Sequence, residues 1–264
     1  MKKTLLTICL VWMCFSLSAQ KIIDLSGKWS FSIDRQDNGE KEKWFSHTLN
    51  DFINLPGSMP EKLKGDEVTA KTQWTGSLYD SSYYYNPYME KYRKEGNIKF
   101  PFFLTPDKHY VGAAWYQKEV NIPADWKGER ILLFLERPHI ETTVWVNGQK
   151  TGMQNSLCVP HQYDITRYVR PGKCTITIRV DNRIKEINVG PDSHSITDQT
   201  QGNWNGIVGR ICLQTTPKTY FDDIQIYPEP EQKLARVKVV IKGTGTAKVK
   251  LSAESFNTDK KHIV

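Results

Sequence analysis

Long apolar runs are missing from this sequence. Its longest, Leu5–Leu17, falls short of the roughly 18–20 residues a spanning helix needs, and nothing later approaches that length. The mature chain is therefore expected to have no membrane segment. Cysteine is scarce: of five, Cys9 and Cys14 lie in the first twenty residues, leaving Cys158, Cys174 and Cys212. An odd number cannot all pair, and Cys174 and Cys212 sit in strand-like runs as small buried apolar residues do, so no disulfide is expected. The six histidines do not cluster at ligand spacing, and no zinc pattern occurs, so no metal is expected. Basic runs are absent as well. The net charge of +7 comes from scattered Lys and Arg, which gives no nucleic-acid footprint. Helical periodicity is lacking: no stretch longer than about ten residues repeats at 3.6, apart from a possible turn over Tyr163–Val169 capped near Asp164.

The first residues, M-K-K-T-L-L-T-I-C-L-V-W-M-C-F-S-L-S-A-Q, do form a pattern. Two lysines precede a short apolar run that ends in small residues. That is the form of a secretory signal peptide cleaved after Ala19. Removing Lys2 and Lys3 brings the charge to 7 − 2 = +5. The bulky residues before Cys14 argue against a lipid anchor there. The chain is expected to be exported, to the periplasm or beyond.

Alternation with period 2 dominates the rest. In C-T-I-T-I-R-V-D-N, Ile176, Ile178 and Val180 face one way, and Thr175, Thr177 and Arg179 the other. I-L-L-F-L at 131–135 reads as a strand buried on both faces. Trp115–Pro123 alternates and stops at proline. Asn147-Gly148 after T-T-V-W-V predicts a tight hairpin, because both residues tolerate positive φ. Many short strands with turn signals every 8–12 residues predict an all-β sandwich. Two places break the rhythm. Gly65–Gly112 is long, irregular and rich in aromatics, so it is functional rather than disordered. P-E-P-E-Q-K-L at 228–234 is a turn between strands, and the alternating runs after it begin a new pattern. A boundary is placed near 216–219. The remainder supplies about three strands where an immunoglobulin-like sandwich needs about seven, which predicts that the chain stops within a domain.

The order of these blocks carries a resemblance. L-S-G-K-W-S-F (25–31), L-P-G (55–57), V-G-A-A-W-Y-Q-K-E-V-N-I-P (111–123), R-I-L-L-F-L-E-R (130–137), T-T-V-W-V-N-G-Q-K-T-G (142–152), Y-D-I-T-R-Y-V-R-P-G-K-C-T-I-T-I-R-V-D-N-R (163–183) and T-D-Q-T-Q-G-N-W-N-G-I-V-G-R (197–210) follow one another. Together they resemble the N-terminal sugar-binding domain of family 2 glycoside hydrolases, which include β-galactosidases, β-glucuronidases and β-mannosidases. The resemblance implies a jelly-roll (galactose-binding-like) sandwich over 22–217 and the start of an immunoglobulin-like sandwich over 218–264. It further implies a TIM barrel downstream, the chain's own partner, holding two catalytic glutamates. Such enzymes retain configuration through a covalent intermediate, with carboxyls about 5–5.5 Å apart. The family's acid/base glutamate follows an asparagine; no Asn-Glu pair occurs in these 264 residues, so no catalytic residue is assigned here. No cofactor is implied.

The substrate-binding candidates are Asp198, Gln201, Asn203, Trp204 and Asn205 in the 198–205 loop, and His109 in the loop before Trp115. In the family both loops approach the sugar. Carboxylates and amides offer directional partners for vicinal hydroxyls, and an indole can cover a pyranose face. The same residues could instead hold a sharp loop, with Trp204 packed on the sandwich. Trp115, Tyr116 and Trp145 are expected in core or interdomain packing, Arg210 paired with a carboxylate, and His139 without a role. The aromatic segment Trp74–Tyr92 either widens a sugar cleft or packs on the barrel. Three functions remain open: the non-catalytic part of an exported family 2 β-glycosidase, a stand-alone carbohydrate-binding module, or an accessory domain of a carbohydrate esterase.

Overall fold

The structure, a computed structural model, describes residues 21–76, 81–185, 192–244 and 246–253. The signal-peptide reading and the last eleven residues lie outside them.

Two antiparallel sheets face each other. The first takes β1 (Ile22–Asp24), β4 (Gly57–Ser58), β8 (Arg130–Pro138), β11 (His161–Asp164) and β13 (Gly206–Thr216). Its order is β1-β13-β8-β11, with β4 against the start of β13. The second, six-stranded sheet takes β2 (Gly27–Asp34), β3 (Asp51–Leu55), β7 (Ala113–Ile122), β9 (Glu141–Val146), β10 (Gln149–Asn155) and β12 (Gly172–Asp181), in the order β10-β9-β12-β7-β2-β3. Short β5 (Asp66–Glu67) pairs with β6 (Lys108–His109) at the two ends of the long irregular segment. This is the all-β sandwich that the alternation predicts, in the jelly-roll form that the resemblance implies.

Alternation decides which side chains meet between the sheets. Ile176, Ile178 and Val180 of β12 and Val144 and Val146 of β9 point inward against Leu133, Leu135, Ile211 and Leu213 of the other sheet. Tyr116 lies in that core. Its neighbour Trp115 points to the opposite face, where it packs with Trp145 and Leu49. That outer face is apolar because the 37–49 segment covers it, with Trp44 and Phe45 against the two indoles. The Asp34 carboxylate fixes the cover, accepting from Trp115 Nε1 (2.9 Å) and from the backbone N–H groups of Asn38 and Gly39 (both 2.9 Å).

Asn147 and Gly148 adopt φ of 50° and 76° and join β9 to β10, the geometry a tight hairpin requires. Gly206 has φ 147°, and a Cβ there would lie 2.5 Å from the Gly57 carbonyl oxygen. Only glycine lets β4 close onto β13. Around Asp164 the predicted turn is shorter than its sequence window. Tyr163 belongs to β11, and Asp164 Oδ1 caps a 3-10 turn over Thr166–Tyr168 through Thr166 N (3.1 Å) and Oγ1 (2.5 Å).

β14 (Tyr220–Glu229) and β15 (Leu234–Lys242) form a separate two-stranded sheet. One face of this hairpin carries Ile224, Ile226, Val237 and Val239, paired in register Ile224–Val239 and Ile226–Val237. Ile224 and Ile226 are exposed among the described residues.

Candidate functional site

The β13 strand is entered through the 198–205 loop, and the two candidate loops meet at that end of the sandwich. Asp198 is the hub. Its Oδ1 accepts from Asn203 N (2.7 Å), its Oδ2 accepts from Thr75 N (2.7 Å), and His109 Nε2 lies 3.3 Å from Oδ2. The Asp198 backbone N–H donates in turn to the Thr75 carbonyl (3.1 Å). The carboxylate is only 3% exposed, and two backbone donors satisfy it, as a buried charge requires. His109 is buried, with its ring against Trp74 (centroids 4.6 Å apart).

Asn203 and Asn205 bind the loop to the sandwich. Asn203 Nδ2 donates to Thr75 Oγ1 (2.8 Å) and to the Asn182 carbonyl (3.0 Å). Asn205 Nδ2 donates to the Gly112 and Val180 carbonyls (2.9 Å each), and its Oδ1 accepts from Tyr116 Oη (2.7 Å). Asn205 is 1% exposed and has no polar atom left for a ligand. Gln201 is exposed. Trp204 is half-buried, stacked on His139 at 4.5 Å and 20°. Of the six candidates, Gln201 and Trp204 therefore reach the surface, and Asp198, Asn203, Asn205 and His109 lie beneath it. Arg210 pairs with Glu136, donating from Nε to Oε2 (3.3 Å).

Several residues of this end carried no signal in the sequence. Thr75 takes part chiefly through its backbone, which no residue pattern encodes. Trp74 lies inside the aromatic segment, where its partners Phe100 and Phe102 (centroids 4.8 and 5.0 Å away) could not be foreseen. His139, to which no role was given, supports Trp204. Burial pushes its pKa down to about 4 against the upward pull of the Asn203 amide and the Asp198 charge, so it is a neutral plate at pH 7. Four buried side-chain atoms have no partner among the described residues: Trp74 Nε1, His139 Nε2, Gln199 Oε1 and Asn203 Oδ1. All belong to this end. Unpaired buried polar atoms are rare in folded proteins. No group of His, Cys, Asp or Glu among the described residues could hold a metal ion, and no helix there is long and apolar enough to cross a membrane.

A family model described as "Glycosyl hydrolases family 2, sugar binding domain" matches residues 22–217. The chain belongs to glycosyl hydrolase family 2. Its match to the beta-glucuronidase of Homo sapiens is 24% identical over 268 residues, covering 91% of this chain and 36% of that protein. A beta-glucuronidase of Paenibacillus borealis is 25% identical over 222 residues, covering 78% and 31%. Among solved structures, a Ruminococcus gnavus beta-glucuronidase shares the fold with a TM-score of 0.56 at 18% identity, covering 85% of this chain and 34% of that one. A beta-glucuronidase from an uncultured Clostridium sp. gives 0.58 at 19%, covering 94% and 39%. The chain spans about a third of the length of these relatives.

Proposed function

We propose that this chain is the exported, sugar-binding and non-catalytic N-terminal part of a retaining family 2 β-glycosidase, with a β-D-glucuronide as its first candidate substrate. The observation that carries the reading is the half-buried Trp204 indole, stacked on His139 at the end of the sandwich where the 198–205 loop meets Thr75. An indole held flat by a neutral imidazole suits the apolar face of a pyranose, and Gln201 beside it suits a hydroxyl. Asp198, Asn203, Asn205 and His109 fix the loop in that posture. The relatives' names support the glucuronide, and their greater length supports a downstream barrel holding the two glutamates. In this reading residues 218–264 begin the intervening immunoglobulin-like sandwich, and the leader 1–19 directs export to the periplasm or outside the cell.

The test is hydrolysis of nitrophenyl β-D-glucuronide, β-D-galactoside and β-D-mannoside by the whole gene product and by residues 21–264 alone. The expected result is turnover by the former, with KM raised by Trp204→Ala, and none by the latter. Sugar binding with no hydrolysis by either protein would assign a binding module instead. Turnover by residues 21–264 would contradict a non-catalytic role.

A further inference from the structure

Within the irregular segment between β5 and β6, the described aromatic residues pack on one another. Tyr83 of the short helix α1 (Ser82–Tyr85) is 1% exposed, and its ring lies 4.6 Å from Phe100. Trp74 meets Phe100 and Phe102 edge-on. The segment is bolted to the sugar-facing loop by the Thr75–Asp198 pairing and by Phe103 N, which donates to the Gln199 carbonyl (3.4 Å).

This segment walls a cleft of about 870 Å³ that none of the site residues above lines. A second cleft of about 470 Å³ shares Glu67, Thr69 and Lys71 with it and continues to Gln73 and His109, at the edge of the loop site. The larger cleft is lined by three cations, Lys71, Arg93 and Lys99, and three carboxylates, Glu67, Glu95 and Asp107. Glu67 accepts from Lys108, and Arg93 donates to the Tyr83 carbonyl. The side chains of Lys71, Glu95, Lys99 and Asp107 make no hydrogen bond or ion pair among the described residues, and their charges sum to zero. Phe103 and Leu104, just before the wall residue Thr105, are 84% and 76% exposed.

These groups suit one chemistry. A wall of cancelling charge offers no field to a polyanion. Its apolar lining residues, Val68, Ala70, Ile98 and Pro106, are interspersed along the chain with the charged ones, as an amphipathic ligand requires. Interleaved carboxylates and ammonium groups do match vicinal hydroxyls, which donate to the former and accept from the latter. The volume falls within the range of ligand sites, about 300–1,000 Å³. We propose that this cleft binds a neutral oligosaccharide, holding units of the glycan beyond the one that meets Trp204. The proposal rests on the carbohydrate reading above and adds a second, separate subsite.

Calorimetric titration of residues 21–264 with cellohexaose, xylohexaose, mannohexaose and hexagalacturonate tests it. The expected result is saturable binding of at least one neutral hexasaccharide. The double variant Lys71→Ala/Asp107→Ala, whose two exposed side chains leave the fold intact by thermal melt, should weaken it about tenfold or more. Binding that is lost in Trp204→Ala yet unchanged in the double variant would leave the loop site standing and overturn the cleft. So would the absence of neutral binding while the whole gene product still hydrolyses glycosides. Binding of hexagalacturonate alone would overturn the neutral ligand.

Discussion

Asn205 joins three elements with one amide: β12 through the Val180 carbonyl, the segment before β7 through Gly112, and β7 through Tyr116. Truncating it removes the acceptor of a buried phenol and leaves the Gly112 carbonyl only its longer bond from Asn182 N (3.4 Å). Asn205→Ala is expected to destabilise the chain by about 3 kcal/mol in urea unfolding; a change below about 0.5 kcal/mol would show that water replaces the amide there. Asp198 holds the β5–β6 segment rather than the sandwich. In Asp198→Ala, tryptic cleavage at Arg93, Lys94 or Lys99 should accelerate about tenfold, while an unchanged rate would mean that the aromatic contacts alone retain the segment. The three described thiols also differ. Cys158 is exposed, and burial raises the Cys174 pKa to about 11 and that of Cys212 upward. In residues 21–264 under native conditions, one thiol should react with a disulfide reagent and two only after unfolding.

Among the elements, β12 ends in a buried ionic knot. Asp181 accepts from Arg179 (3.0 Å) and Arg183 (2.6 Å) and lies 2.9 Å from Lys185, while Asp37 of the covering segment takes Arg179 (2.6 Å) and Arg183 (2.5 Å). Burial pushes the Asp181 pKa up, but hydrogen bonds from Arg183 and Lys185 outweigh it and hold the carboxyl well below its ordinary range. A depressed carboxyl contributes stability above its unfolded value, near pH 4, that is lost as pH falls further. His139 acts higher: held near 4 when folded against about 6.5 unfolded, it removes stability as pH falls from about 6.5 to 4. Urea midpoints should therefore decline in both windows, and His139→Phe should flatten only the upper one, leaving the smaller share of His161, which burial also lowers. An unaltered upper slope would show that His139 is not kept neutral. The β14–β15 hairpin lies at the other extreme. Two strands whose apolar face is exposed among the described residues are marginal on their own, so its amides should exchange much faster than those of β7 and β12, and ending the chain at residue 217 should improve its solubility.

Across the whole molecule, what the sequence made legible was periodic. Strands such as 172–181 and 141–146 show which side chains face the core, and Asn147-Gly148 shows its turn, because both rest on local backbone rules. Strand order is not local: the resemblance implied a jelly roll, and the order β10-β9-β12-β7-β2-β3 came only with the structure. The cover over Trp115 and Trp145 was hidden, since alternation says that a side chain faces outward but not that another segment lies on it. The site was half legible. Its polar loop stood out by composition, but the division between Trp204 and Gln201 at the surface and Asp198 and Asn205 beneath it depends on Thr75, Gly112 and Val180 backbone groups that carry no residue signature. The central claim is that this loop end faces a sugar while bond cleavage happens elsewhere in the whole protein. The most direct test is a crystal structure of the complete gene product with D-glucaro-1,5-lactone bound. The expected result places Gln201 or the Trp204 ring against the ligand, with at least one hydrogen bond of about 3 Å from the 198–205 loop. A ligand bound in a site that the loop does not border would contradict it.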